Sequence, residues 1–185
     1  MDHNKPKRMQ DTAESRRDER WHLAKNATEI RTTELEFALI RAFEGFLRWQ
    51  AECVGAVSDL AVTGSENALL HIIAMHDRPK TVRDLARLTN RADIPNIQYS
   101  LRKLLSAELI LRKGTGRAGV TYQTTEKGRQ ICMEYADLRS QNLTSMIGNL
   151  KGFPEKLADA TRTLNILIGV YEEAARTTAT HRRWD

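Results

Sequence analysis

Between Asp93 and Ser106 the chain reads DIPNIQYSLRKLLS, and five of these residues carry groups that recognise other molecules. Asn96 and Gln98 each present an amide, which can accept and donate side by side against the edge of adenine. Arg102 and Lys103 bring cationic donors suited to guanine or to phosphate. Tyr99 adds a ring that ends in a hydroxyl. Ile97, Leu101, Leu104 and Leu105 recur at helical spacing on the opposite side. Asp93 is placed to cap such a helix, and Pro95 suits its first turn. A solvated surface helix shows the same two faces, so the surrounding elements have to decide between the readings.

Other chemistries find little material. The sequence has no Gly-x-Ser-x-Gly, no phosphate-binding glycine loop running into a helix and no ordered His/Asp/Ser set. No enzyme and no cofactor are expected. His71 and His76 are five apart, which does not stack them on one helix face, and no cysteine or acidic cluster completes a metal site. Cys53 and Cys132 sit within apolar helical patterns and read as buried small hydrophobes. Two cysteines also make no disulfide framework. No apolar run approaches the roughly 20 residues of a membrane span, and the first residues lack the apolar core of a signal peptide. A cytoplasmic protein without membrane contact is the expectation.

Charge points to a partner. The net charge is +5, and it is unevenly spread. Residues 63–130 hold 12 Lys/Arg against 6 Asp/Glu, whereas the remainder holds 17 basic and 18 acidic residues. The whole excess lies in the segment containing the amphipathic helix, as expected of a polyanion binder.

The elements that must position these residues follow from periodicity. Residues 1–25 alternate in sign without an apolar period and read as a disordered arm. Residues 26–60 hold a long helix, with Leu35, Leu39, Ala42, Phe43, Phe46, Cys53, Val54 and Val57 on one stripe. Phe37, Ile40, Leu47 and Trp49 widen that stripe, so several partners, a second subunit among them, are needed to cover it. Within residues 61–125, Thr63 with Glu66 and Thr81 with Asp84 have capping-box spacing and start two helices. The amphipathic helix comes third. A strand over Leu109–Lys113, a turn GTGRAG and a returning strand over Val120–Thr124 close the region. Residues 126–178 read as one long helix opened by Thr125-Glu126-Lys127-Gly128, then a final helix after the break at Gly152-Phe153-Pro154. Residues 179–185 form a tail. The fold class is therefore mainly α with a small β-hairpin wing.

Helix, helix, helix, hairpin is the order of a winged helix-turn-helix, in which the third helix enters the major groove. In that setting Asn96, Gln98, Tyr99, Arg102 and Lys103 become candidate DNA contacts. Thr81 and Arg83 at the second helix and Arg117 in the wing join them.

Over about residues 30–175 the chain resembles the MarR family of bacterial transcription regulators. The likeness rests on the long first helix, TGSENALLHIIA, TVRDLARLTN, LRKLLSAELILRK and the hairpin that leads into TTEKG at 124–128. The resemblance implies a homodimer with intertwined N- and C-terminal helices, presenting two winged helices to a pseudo-palindromic operator in double-stranded DNA. It also implies a repressor relieved by a small aromatic or phenolic effector, for which Phe46, Trp49, His71 and Met75 are the candidate pocket. An aromatic stripe at such spacing is equally what a plain core shows. Two positions depart from the family pattern. Glu108 stands where a glycine commonly takes φ > 0. Gly116 and Ala118 flank Arg117, leaving it without the acid that usually braces the wing arginine. A winged-helix protein-interaction module without operator binding and a small-molecule-binding helical dimer are the alternatives, and a gel shift separates them from the first reading.

Overall fold

The chain's helices begin where short polar side chains can accept from otherwise unpaired backbone N–H groups. The computed structural model describes residues 22–114 and 119–181. The side chain of Asn26 accepts from the N–H groups of Thr28 and Glu29 and opens helix α1, Ala27–Val57. Both expected capping boxes form. Thr63 and Glu66 start α2, Gly64–Ala74, and Thr81 and Asp84 start α3, Val82–Leu88. A short 3-10 turn, Met75–Asp77, lies between them. Then come α4 at Ile94–Ser106, β1 at Ile110–Lys113, β2 at Thr121–Thr124 and α5 at Glu126–Arg139. A π turn at Ser140–Thr144, α6 at Ser145–Gly148 and α7 at Phe153–Thr180 complete the order. The chain divides into two compact units, Met1–Arg129 and Gln130–Asp185.

In the first unit the core gathers Leu69, Leu70 and Ile73 of α2, Leu85 of α3, Ile97, Leu101 and Leu104 of α4, Leu109, and Cys53 and Val54 of α1. Two backbones approach too closely for any side chain between them. A methyl on Gly64 would lie 2.0 Å from the Leu47 carbonyl oxygen, and one on Gly128 would lie 2.0 Å from that of Leu109. The second contact explains the glycine of TTEKG. Thr125 donates its N–H to Leu109 O at 3.0 Å and caps α5 by accepting from the Gly128 N–H at 3.0 Å.

α3 and α4 end alike. After α3, Asn90 takes φ +51 while its N–H reaches Arg87 O and that of Arg91 reaches Ala86 O. After α4, Glu108 takes φ +60 while its N–H reaches Leu105 O and that of Leu109 reaches Leu104 O. Both are left-handed Schellman closures. Asparagine tolerates the conformation, but glutamate is strained there by about 1–2 kcal/mol. The sequence expectation at Glu108 is met. The strained turn is held from α5, where the Thr125 hydroxyl donates to Glu108 O at 2.7 Å and Lys127 Nζ donates to Ala107 O at 2.9 Å.

The hairpin pairs β1 with β2 antiparallel, Ile110 opposite Thr124 and Lys113 opposite Thr121. Each strand starts one residue later than its expected run, at Ile110 and at Thr121, although the Thr125 N–H still reaches Leu109 O in the same register. Residues 115–118, Arg117 included, lie outside the described residues, as does most of the expected N-terminal arm. At the neck of the wing Gly114 has φ +86, and a methyl there would lie 2.5 Å from Gly119 O. Lys80 adds a bridge that the sequence did not suggest, exchanging N–H···O bonds with Tyr122 at 2.9 and 2.8 Å.

The second unit corrects one expectation. The sequence predicts an unbroken α-helix up to residue 150, but the π turn interrupts it. Ile131, Tyr135 and Leu138 keep α-helical spacing, whereas Met146, Ile147 and Leu150 fall one residue late on the same track. One extra residue in a wide turn restores the phase. α7, entered from Gly152 at φ +70, has no buried residue in the single chain.

Two substitutions separate these constraints. Glu108→Gly is expected to raise the unfolding free energy by about 1 kcal/mol, because it relieves a left-handed side chain. Gly128→Ala should lower it by about 1–3 kcal/mol or more. Urea titration reads both, and an unchanged midpoint for Gly128→Ala would mean that α5 can retreat from Leu109 at no cost.

Candidate nucleic-acid interface

α4 is amphipathic as the sequence reads it. Ile97, Ser100, Leu101 and Leu104 are buried, while Asn96, Gln98, Tyr99, Arg102 and Lys103 are exposed. The apolar stripe fixes which way the polar side faces, so these five side chains share one outer surface. The Tyr99 ring lies 5.9 Å from Arg102 Cζ and 5.3 Å from Lys103 Nζ, within range of cation–π attraction.

Lys103 is also tied inward. Its Nζ stands 3.1 Å from Oε1 of Glu66, whose side chain is 4% exposed. The second oxygen of that carboxylate, Oε2, accepts from the Thr63 N–H at 2.8 Å. Glu66 thus closes the α2 capping box with one oxygen and anchors α4 with the other. Its own partners raise the Lys103 ammonium above the usual lysine value, the Glu66 hydrogen bond most of all.

The remaining predicted contacts fall in different places. Arg83 is exposed in the first turn of α3. Thr81 is half-buried, and its hydroxyl donates to Asp84 Oδ2 at 2.8 Å while accepting from the Asp84 N–H at 3.1 Å. Its hydrogen is committed to the cap. The Thr81 N–H and then its hydroxyl hold the Asp84 carboxyl below its ordinary value. Arg117 cannot be placed with the others, since it lies outside the described residues.

Asp93 corrects a second expectation. It occupies the cap position of α4, but its side chain bonds no backbone N–H of the helix. Instead Oδ1 accepts from Arg91 Nε at 2.7 Å, and Oδ2 accepts from Arg91 Nη2 at 2.6 Å and from Asn96 Nδ2 at 3.1 Å. A bidentate guanidinium is a stronger partner for a carboxylate than one peptide N–H, so Arg91 draws the side chain off the helix end.

Where α1 meets α2 there is a cleft of about 260 Å³, lined by Phe43, Phe46, Leu47 and Ile72 with Thr89 and Arg91 among its polar residues. Of the four predicted pocket residues, Phe46 lines it, and Trp49, His71 and Met75 do not. His71 lies about 100° around α2 from Ile72, and Met75 has passed into the 3-10 turn. Burial raises the Cys132 thiol to about 11, and burial followed by Glu52 raises that of Cys53. Cys53 is buried as the sequence suggests, whereas Cys132 is half-buried. Among the described residues no helix is long and apolar enough to cross a membrane, and no three His, Cys, Asp or Glu side chains group as metal ligands.

Residues 62–128 match the family model of a winged helix DNA-binding domain. Three solved structures are similar over most of the chain. The transcriptional regulator BldR from Sulfolobus solfataricus is 17% identical with a TM-score of 0.60, covering 76% of this chain and 99% of its own. A MarR variant from E. coli complexed with operator DNA is 18% identical with a TM-score of 0.60, over 77% and 99%. The transcriptional repressor CouR bound to a 23-mer DNA duplex is 18% identical with a TM-score of 0.60, over 78% and 99%. No curated protein sequence matches the chain. The fold is that of the MarR-type regulators, and the segment bearing the site is a winged helix.

The anchor inside this surface is open to test. Lys103→Met leaves a buried carboxylate without its cation and should lower the thermal midpoint clearly more than Arg102→Met does. Adding Glu66→Gln to Lys103→Met should recover much of the loss. Equal thermal midpoints for the two single variants would show that the Glu66–Lys103 pair does not anchor α4.

Proposed function

We propose that this chain, a winged helix in the MarR-type fold, is a homodimeric, sequence-specific DNA-binding transcriptional regulator. In this reading it represses by occupying its operator and leaves it when a small aromatic or phenolic acid binds. The observation that carries the DNA-binding part is the outer face of α4, where two amides, a tyrosine and two cations project from a buried leucine stripe. That face lies in the segment holding the whole positive excess. An amide pair for base edges beside cations for phosphate is the division of labour that specific duplex recognition requires.

Dimerisation is supported by the apolar surface the single chain leaves in water. On α1, Phe37, Ile40, Phe43 and Phe46 are 46–62% exposed, and on α7 Leu157, Leu164, Ile166, Ile168, Val170 and Tyr171 are 39–69% exposed. So much apolar surface marks an interaction site, and a two-fold mate satisfies it with the same faces. Two α4 helices would then address major-groove sites roughly 34–36 Å apart. Repression draws on the likeness to CouR, a repressor bound to DNA. The effector reading draws on the cleft between α1 and α2, whose apolar walls suit an aromatic ring.

Sedimentation at micromolar concentration should find a dimer. Gel shifts on the DNA upstream of its own gene should find a complex whose affinity falls roughly 10³–10⁵-fold between 50 and 200 mM salt, for about 6–10 phosphate contacts. Gln98→Ala should relax discrimination at one base pair per half-site by about 1–3 kcal/mol. Equal losses on operator and random duplex would reduce Gln98 to a backbone contact.

A further inference from the structure

We infer that Arg91 and Asp93 are positioning residues for base recognition, acting through Asn96. The inference rests on the proposed reading of Asn96 as a base contact. An asparagine on the exposed first turn of a helix ordinarily samples several rotamers, and fixing one of them at the moment of binding costs entropy. Asn96 is not left to do so. Its Nδ2 donates to Asp93 Oδ2 at 3.1 Å. The opposite orientation of the amide would set Oδ1 against a carboxylate oxygen, two acceptors face to face, so the chemistry permits only the amino group there.

Asp93 in turn is held at both oxygens by the Arg91 fork, at 2.7 and 2.6 Å. Arg91 is anchored by its own backbone, because its N–H closes the α3 terminus on Ala86 O at 2.9 Å immediately after left-handed Asn90. The side chain of Arg91 is only 29% exposed. An unbroken set of contacts therefore leads from the end of α3 to the amide of Asn96. The Asp93 carboxyl is held well below the usual carboxylate range, first by Arg91 and then by Asn96, so the acceptor persists throughout the neutral range.

One amide hydrogen of Asn96 is spent on Asp93. When Asp93 takes the hydrogen trans to Oδ1, the other hydrogen and Oδ1 remain as a donor and an acceptor side by side, the pattern complementary to N7 and N6 of adenine. The guanidinium also offsets a negative charge that would otherwise stand close to the phosphates. Asp93 makes no side-chain bond to the backbone of α4, so its part in starting the helix does not account for the arrangement.

Selection from a randomised duplex library, with enrichment read position by position, tests this on the full-length protein. Asn96→Ala should flatten the preference at one position per half-site, where roughly tenfold is expected of a bidentate pair. Asp93→Ala and Arg91→Met should flatten that same position, and Asn96→Ala combined with Asp93→Ala should do no more than either alone. Thermal midpoints should stay near that of the parent, because a partly exposed ion pair adds little stability, and so should the salt slope of Asn96→Ala. Arg91→Met also leaves the Asp93 carboxylate beside the phosphates and should weaken binding to every sequence, a loss that Arg91→Lys, which keeps the charge without the fork, should avoid. If Asn96→Ala flattens a position that Asp93→Ala leaves sharp, the positioning role is refuted while base reading by Asn96 survives. If Asn96→Ala leaves every position sharp, base reading by Asn96 fails and the inference goes with it. A loss in Asp93→Ala spread evenly over all sequences would likewise overturn it, because it would make Asp93 a structural residue only.

Discussion

The first unit depends on one buried ammonium. Lys80 is 7% exposed, and its Nζ donates to the carbonyls of Ile73 at 3.0 Å, Met75 at 2.6 Å and Arg78 at 2.9 Å. A cation among the last carbonyls of a helix is favoured by the dipole as well as by the hydrogen bonds. Burial, followed by Arg78, lowers its pKa from the ordinary lysine value. Three bonds offset the desolvation that would otherwise expel the charge. Between these carbonyls lie His76 and Asp77, both with positive φ, and such a pair persists only where its surroundings hold it. The backbone of the same residue pairs with Tyr122 in β2, and the next residue caps α3. The end of α2, the start of α3 and the root of the wing thus meet on a single side chain and its peptide.

Helix α4 is supported in the same way, by contacts other than its leucine stripe. At its start Arg91 and Asp93 tie it to the end of α3. Along its length Lys103 reaches the cap of α2, and past its end Thr125 and Lys127 hold the strained turn at Glu108. Hydrophobic burial sets how α4 rotates but is not directional. The polar contacts restrict sliding along its axis, so the two together fix where its outer face points.

The parts legible in the sequence are those encoded locally. A capping box is written in residues three apart, the α4 stripe in a period of 3.6, and the glycine of TTEKG and the misfit of Glu108 in single positions. What escaped depends on how the folded chain brings groups together rather than on a local pattern. Lys80 and Tyr122 pair across 42 positions of chain, and Lys80 gives no local sign of being a strand. Asp93 looked like a cap because the competing guanidinium of Arg91 matters only once α3 has closed in its left-handed turn. The π turn was partly legible, since the apolar track slips by one residue after Leu138. The cleft lies where α1 meets α2, as the sequence suggested, but of the four expected residues only Phe46 is in its lining, because the lining depends on the rotation of both helices.

The burial of Lys80 also makes that lysine a clock. An amine that reacts with an acylating reagent must be uncharged and must meet the reagent, and the second condition requires it to leave its three carbonyls. Its rate of acylation, compared with that of exposed lysines in the same molecule, therefore counts how often the end of α2 opens. Each modified chain then keeps a record of that opening, because an acylated Lys80 has lost the charge and two of the three hydrogens that closed the turn.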